Sequence, residues 1–170
     1  MVVANATPLI HLSRAGYLNL LQRCFIEIEI PKAVYHEVVT KGKERRRADT
    51  PIVEKAISEG WIKVVKLDED SLRFVENLLR IEKIGLGEAQ AIALALKMQA
   101  PLITDDKVVH RFASMYRVET LWTTTLILNS VNTRLLGKEE GKQVLRELIR
   151  TGCRLKTEVY DALLRRIDEL

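Results

Sequence analysis

Short apolar segments alternate with helical segments along this chain, and that alternation limits the possible folds more than any other feature. The pattern predicts strands near residues 1–4, 25–30, 62–65, 102–104 and 118–121, with helical stretches between them. Strands separated by helices pair in parallel, because a parallel neighbour needs a long crossover connection. The sequence therefore predicts an α/β fold, a three-layer α/β/α domain with a mostly parallel central sheet.

We expect residues 1–170 to form a single domain. The chain contains no repeat, low-complexity tract or linker that would divide it, and 170 residues with 47% hydrophobic content suffice for one sizeable core. Two amphipathic helices are predicted at about 138–150 and 156–169, so residues 136–170 should form a helical C-terminal extension. Their apolar faces could pack on the domain itself, form a homodimer or contact a partner protein.

A cytoplasmic location is expected, with no membrane partner. No stretch approaches the ~20 uninterrupted apolar residues that cross a bilayer. Asn5, His11 and Arg14 interrupt the N-terminal apolar run that a signal peptide would need. The two cysteines, Cys24 and Cys153, show no metal-binding or redox spacing, so we assign them no chemistry.

The net charge of +4 comes from one segment, KGKERRR at residues 41–47. Basic and acidic residues balance over the rest of the chain. Such a charge run is often only a solvated loop or helix end. Clustered Lys and Arg also attract a nucleic-acid backbone without reading its sequence. The candidate nucleic-acid contacts are Lys41, Lys43, Arg45, Arg46 and Arg47.

Oxygen-bearing side chains recur where predicted strands end and the following helices begin. They are Asn5 after the first strand, Glu37 and Glu88 early in two helices, and Asp105 and Asp106 after a later strand. Taken singly, each has an ordinary alternative as a helix cap, a macrodipole partner, a turn former or a solvated residue. The carboxyl ends of parallel strands meet at one edge of a sheet, so we expect these groups near one another. Clustered carboxylates repel unless they share a proton or a cation, and Mg²⁺ prefers oxygen ligands, so together they predict a metal site.

Four motifs follow one another in an order that resembles the PIN-domain family, the fold of VapC-type toxins and related metal-dependent ribonucleases. The opening strand and first helix are VVANATPLIHLSRAGYLNLL, and the second-acid helix is IPKAVYHEV. The third-acid helix is GLGEAQAIALA, and the fourth-acid strand end is LITDDK. The ending GCRLKTEVYDALL resembles the tail of an archaeal and bacterial subgroup of the family.

Position by position, the resemblance implies that Glu37, Glu88 and Asp105 are the family's acids, Thr7 its helper hydroxyl and Asp106 an additional acid. Asn5 departs from the pattern, because the family usually has Asp there. An amide oxygen binds a cation but brings no negative charge, so metal affinity should fall. The implied catalytic residues are Glu37, Glu88, Asp105, Asn5 and Thr7. The implied ligands of Mg²⁺ or Mn²⁺ are Glu88, Asp105, Asp106, Glu37 and Asn5.

The resemblance implies a metal-dependent ribonuclease with RNA as its partner. If the chain is the toxin of a toxin–antitoxin pair, a small antitoxin protein is a second partner. The neutral Asn5 leaves an alternative open, a PIN-like module that binds RNA or protein without cutting. A receiver or phosphoryl-transfer domain is disfavoured, since the sequence has no acid at the end of the first strand and no P-loop or GxGxxG motif. The scattered histidines, His11, His36 and His110, are interpreted as packing or surface residues.

Overall fold

The central element of the computed structural model, which describes residues 1–81 and 83–170, is a sheet of five parallel strands. The strands are β1 (Val2–Ala4), β2 (Ile28–Pro31), β3 (Ile62–Val65), β4 (Leu102–Ile103) and β5 (Thr120–Leu121). Their order across the sheet is β3-β2-β1-β4-β5. In the central pair, Ala4 of β1 is opposite Ile103 of β4. The predicted fold class is confirmed, and every strand pair is parallel.

Helices connect the strands and close the chain. They are α1 (Ala6–Arg14), α2 (Asn19–Cys24), α3 (Lys32–Tyr35), a π-helix (His36–Thr40), α4 (Lys41–Glu44), α5 (Thr50–Ser58), α6 (Glu69–Ile81), α7 (Leu86–Met98), α8 (Lys107–Met115), α9 (Thr123–Asn132), α10 (Lys138–Arg150) and α11 (Thr157–Glu169). The leucine spacing predicts one helix from Pro8 to about Arg23, but the structure has two. Gly16, at φ +79°, takes a left-handed conformation that turns the chain between α1 and α2.

The sheet separates two apolar clusters, which gives the three layers. Val2 and Ala4 of β1 face one cluster, and Val3 between them faces the other. Successive side chains of a strand point to opposite faces of the sheet, so a strand buried on both faces is apolar throughout. Helix α7 belongs to the second cluster. Its run from Ala89 to Leu96 is apolar almost all round, because the helix is enclosed on several sides, and Ala91–Ala95 are all buried.

The C-terminal helices pack on the domain itself. Val144, Leu145 and Leu148 of α10 are fully buried in the cluster that also contains Val2 and Ala4 of β1. Ile167 of α11 is buried there too. Among the residues that the structure describes, no helix combines the length and the apolar character that spanning a bilayer requires.

Candidate functional site

The parallel sheet places polar side chains at the edge where its strands end, and we call Asn5, Glu37, Glu88, Asp105 and Asp106 the strand-end rim. β1 ends at Ala4 and the neighbouring β4 ends at Ile103, so Asn5 and Thr104 come side by side. Nδ2 of Asn5 donates a hydrogen bond to Oγ1 of Thr104 over 2.7 Å. Asn5 is only 2% exposed. Its Oδ1 is buried and has no hydrogen-bond partner within the described ranges, so it is available to a ligand.

Glu88 is held at the start of α7, against two other carboxylates. The backbone N–H of Gly85 donates to its Oε2 over 2.5 Å, which fixes the side chain in the first turn of the helix. Burial raises the pKa of Glu88, and repulsion from Asp106 and Glu37 adds to that rise, while the Gly85 hydrogen bond opposes it. Two carboxyl groups distant in sequence therefore lie close enough to Glu88 to disfavour its charged form.

Glu37 approaches α7 because it lies in a π-helix and because Gly87 of α7 has no side chain. It lies in the π-helix rather than in a regular α-helix, and short π-helical turns recur at functional sites. A Cβ added at Gly87 would lie 3.2 Å from Oε2 of Glu37, so the glycine leaves room for this approach. The backbone N–H of Ala33 also donates to Oε1 of Gln90 over 3.0 Å, which ties α3 to α7.

The two adjacent aspartates face different parts of the rim. Asp106 caps α8, with its Oδ1 accepting from the N–H groups of Val108 at 2.6 Å and Val109 at 3.3 Å. This is the capping role that the sequence left open as an alternative. Asp105 instead accepts from the N–H of Thr123 at 2.9 Å and from its hydroxyl at 2.8 Å. Of the two, Asp106 is the one whose charge acts on Glu88, while Asp105 is bound to the start of α9.

Thr104 was missed by the sequence reasoning, although it lies inside the LITDDK motif. It is fully buried, and its Oγ1 accepts both from Asn5 and from the backbone N–H of Asp106, at 3.3 Å. The hydroxyl thus joins the end of β1 to the turn after β4. A hydroxyl at the end of an otherwise apolar strand is the signal that could have identified it, because such a group must find a partner when buried.

The pair Thr7-Pro8 predicts a helix that begins with Thr7 as its N-cap, and the structure shows that this prediction is wrong. The helix begins at Ala6, so Asn5 occupies the cap position, and its amide bonds to Thr104 instead of to the helix. Thr7 lies in the first turn, half-buried, and lines a cavity together with Asp105. Thr7 thus lines the same cavity as a rim acid, and its helper role stays a prediction.

Two of the histidines lie near the rim. Nδ1 of His11 is 3.6 Å from Oδ2 of Asp105, and the Asp105 side chain, followed by the Cys153 thiol, raises the pKa of His11 to about 9. The neighbouring carboxylate therefore favours the protonated form of His11. His110 stacks on Trp122 and bonds to the carbonyl of Thr104 over 2.9 Å. Burial lowers the pKa of His110, and we retain the packing interpretation for it.

The basic segment directly follows the π-helix that carries Glu37, on the helical stretch that starts at Lys32 after β2. Arg47 donates to Asp49 over 2.8 Å, and Lys43 pairs with Glu54. The Arg47 charge is held within the fold, whereas the Lys43–Glu54 pair lies at the surface. The exposed side chains that remain for a nucleic-acid contact are Lys41, Arg45 and Arg46.

A family model described as a PIN domain matches residues 1–169, nearly the whole chain. The chain belongs to the PIN-domain family. No curated protein matches it. PIN domains have a nuclease-type fold and are generally divalent-metal-dependent nucleases. In this PIN domain the four resembling motifs occupy the strand ends and helix starts described above.

The rim of this PIN domain fits an ion such as Mg²⁺ that takes only some of its ligands from the protein and the rest from water. Among the described residues, no three His, Cys, Asp or Glu side chains lie close enough to complete a metal site by themselves. Mg²⁺ usually keeps several waters and takes only one or two carboxylates. Glu88 and Asp106 supply such a pair, and the buried Oδ1 of Asn5 is an oxygen that lacks a partner within the same part of the chain. The donors are all oxygens, as hard divalent ions prefer.

Proposed function

We propose that this PIN-domain protein is a metal-dependent ribonuclease that hydrolyses RNA phosphodiester bonds at the strand-end rim, with Mg²⁺ or Mn²⁺ as its cofactor. The observation that carries the proposal is the environment of Glu88, a half-buried carboxyl group facing two further carboxylates. Such an arrangement is costly for the protein alone and becomes favourable when a divalent cation is bound. We also propose that the protein works in the cytoplasm.

Glu88 and Asp106, together with Oδ1 of Asn5, are the groups that would hold the ion, and Glu37 would add negative charge beside them. When bound, the ion lowers the pKa of a coordinated water and offsets charge on the reacting phosphate. Thr123 fixes the orientation of Asp105 through two hydrogen bonds, so Asp105 faces the cavity in a defined position. The Thr7 hydroxyl beside it could donate to a phosphate oxygen, and the protonated His11 adds positive charge next to Asp105.

Cleavage of RNA should depend strictly on a divalent ion. Incubated with a panel of single-stranded and structured RNAs, the purified protein should produce fragments with Mn²⁺ or Mg²⁺ and none with EDTA, as followed by gel electrophoresis. Ca²⁺ should support cleavage poorly, because its longer and more variable coordination fits a small rim less well. Fragmentation that persists in EDTA would contradict the proposal.

A narrower proposal is that the protein is the toxin of a toxin–antitoxin pair, with a small antitoxin covering the rim. It rests on the resemblance of the motifs to VapC-type toxins. Helix α10 buries three apolar residues in the domain and α11 buries Ile167, while Ile149 and Val159 are exposed. These two residues are where we would look first for a homodimer or antitoxin contact.

The alternative is a module that binds RNA or protein without cutting, and the neutral Asn5 is the observation that favours it. Replacing Asn5 by Asp separates the two. The added charge is buried, so without metal the free energy of unfolding should fall by about 1–3 kcal/mol. With a fifth acid at the rim, Mn²⁺ affinity should rise roughly tenfold, because affinity follows the number of charged ligands.

The measurement is chemical denaturation with and without Mn²⁺, in parallel with RNA cleavage. Asn19→Asp is the matched control, since Asn19 is an exposed residue at the start of α2 and the same change there should alter neither quantity. If Mn²⁺ stabilises Asn5→Asp no more than the wild type, Asn5 is not at a metal site. Cleavage that appears only in Asn5→Asp would favour the binding module for the natural sequence.

A further inference from the structure

A cavity of about 610 Å³ lies between the rim and the segment that joins α10 to α11. It is lined by Thr7, Asp105 and Trp122 and also by residues 152–156 together with Val159. Sites for drug-sized ligands range from roughly 300 to 1,000 Å³, so this one has room for a nucleotide with its phosphate. The cavity therefore adjoins the proposed reaction centre and includes part of the C-terminal extension.

The charge of the cavity favours an anion. Lys107, Arg154 and Lys156 line it, and all three are exposed residues. The acid among the lining residues is Asp105, and both of its oxygens already accept hydrogen bonds from Thr123. A flexible cation on either side of an opening is suited to following a phosphodiester backbone.

The apolar part of the cavity favours a base. Trp122, Leu155 and Val159 contribute to its lining, and His110 stacks on Trp122 with ring centroids 3.7 Å apart and planes 18° apart. The indole is thus held in place by His110, and Trp122 also lines the cavity. Cationic side chains around a positioned aromatic ring are the combination that proteins use to bind single strands, since every base has a stacking face.

We propose that this cavity is the binding groove for a single-stranded RNA, in which Lys107, Arg154 and Lys156 contact phosphates and Trp122 stacks on a base. The inference rests on the proposed ribonuclease function and deepens it, because it assigns RNA recognition to the C-terminal extension. It also moves recognition away from residues 41–47, where two of the five cations are paired with carboxylates.

The first test is binding of a short fluorescein-labelled single-stranded RNA, followed by anisotropy in EDTA so that no cleavage occurs. The double variant Arg154→Gln/Lys156→Gln should bind roughly tenfold more weakly than the wild type at low salt. Its plot of log affinity against log salt concentration should be shallower by about 1.4, since each lost phosphate contact on a single strand contributes about 0.7. Lys66→Gln/Arg165→Gln removes two exposed cations elsewhere and should change neither quantity.

The second test uses fluorescence of Trp122. The chain has two tryptophans, so Trp61→Phe leaves Trp122 as the reporter. Unlabelled RNA should quench its emission with the affinity measured by anisotropy, because a stacked base lies against the indole. Emission that does not respond to saturating RNA would overturn the inference.

Cleavage by the wild type, measured in parallel, shows whether a negative binding result contradicts this inference alone or the proposed function as well. If the wild type cleaves RNA but the double variant binds it as tightly as the wild type, the groove is not the RNA site and only this inference falls. Its cations would then serve another ligand, such as an acidic protein segment. If the wild type neither binds nor cleaves RNA with any divalent ion, the proposed function is wrong, and so is the inference that rests on it.

Discussion

Glu88→Gln should abolish metal-dependent RNA cleavage, with a loss of roughly 100-fold or more. The substitution keeps the size of the side chain and an oxygen that can accept from Gly85. It removes the charge that we expect to bind the ion. Because Glu88 is partly buried and repelled by Asp106 and Glu37, the neutral amide should leave the metal-free protein at least as stable as the wild type. Loss of activity without loss of stability is the expected combination.

Thermal unfolding with Mn²⁺ gives a second, independent measurement for Glu88→Gln. At about 100 times its dissociation constant, the ion should stabilise the wild type by about 2.7 kcal/mol, or about 5–10 °C in a domain of this size. If the variant binds 100-fold more weakly, the same Mn²⁺ concentration should contribute only about 0.4 kcal/mol. Glu76→Gln, at an exposed position of α6, is the matched control and should behave like the wild type. Cleavage that survives in Glu88→Gln would mean that another site or a contaminating nuclease is responsible.

Asp49→Ala should lower the free energy of unfolding by about 3 kcal/mol. The Asp49 side chain is 1% exposed and accepts from Arg14 at 2.9 Å and from Arg47 at 2.8 Å. Arg14 ends α1, Arg47 follows α4 and Asp49 precedes α5, so this carboxylate joins three helices. Its removal leaves Arg47, whose side chain is only 15% exposed, without its buried counter-charge. Removing one partner of a buried pair costs far more than an exposed pair contributes.

Urea denaturation measures the effect, as a lower midpoint at an unchanged slope. Asp70→Ala is the control, because Asp70 pairs with Arg73 at the surface and its loss should cost less than about 1 kcal/mol. The variant Arg47→Gln should likewise reduce stability while leaving RNA affinity nearly unchanged. An Asp49→Ala protein as stable as the wild type would show that the two arginines find other partners, and Arg47 would return to the set of nucleic-acid contacts.

The strands and most of the helices were predictable from the sequence because their signals are local, and the parallel pairing followed from the helical connections between strands. A strand buried on both faces, such as Val2–Ala4, is apolar at every position, and a helix buried on several sides, such as α7, is apolar all round. Each pattern can be recognised within the residues of one strand or one helix. The irregular π-helix at His36–Thr40 has no such signal, since the same residues would suit an α-helix. The rim was predictable in outline, because parallel strands bring their ends to one edge.

The sequence by itself determined that this protein has a parallel α/β fold with acids at the ends of its strands. Only the tertiary structure decided which acids act together. It showed that Asp106 rather than Asp105 raises the pKa of Glu88, and that Asn5 bonds to Thr104, 99 positions along the chain. The physical reason is that periodicity and composition depend on neighbouring residues, whereas a side chain's partner depends on how separate elements pack. Asp105 and Asp106 have the same functional group, but their contacts differ. Asp106 caps α8, whereas Asp105 accepts from the backbone N–H and the hydroxyl of Thr123.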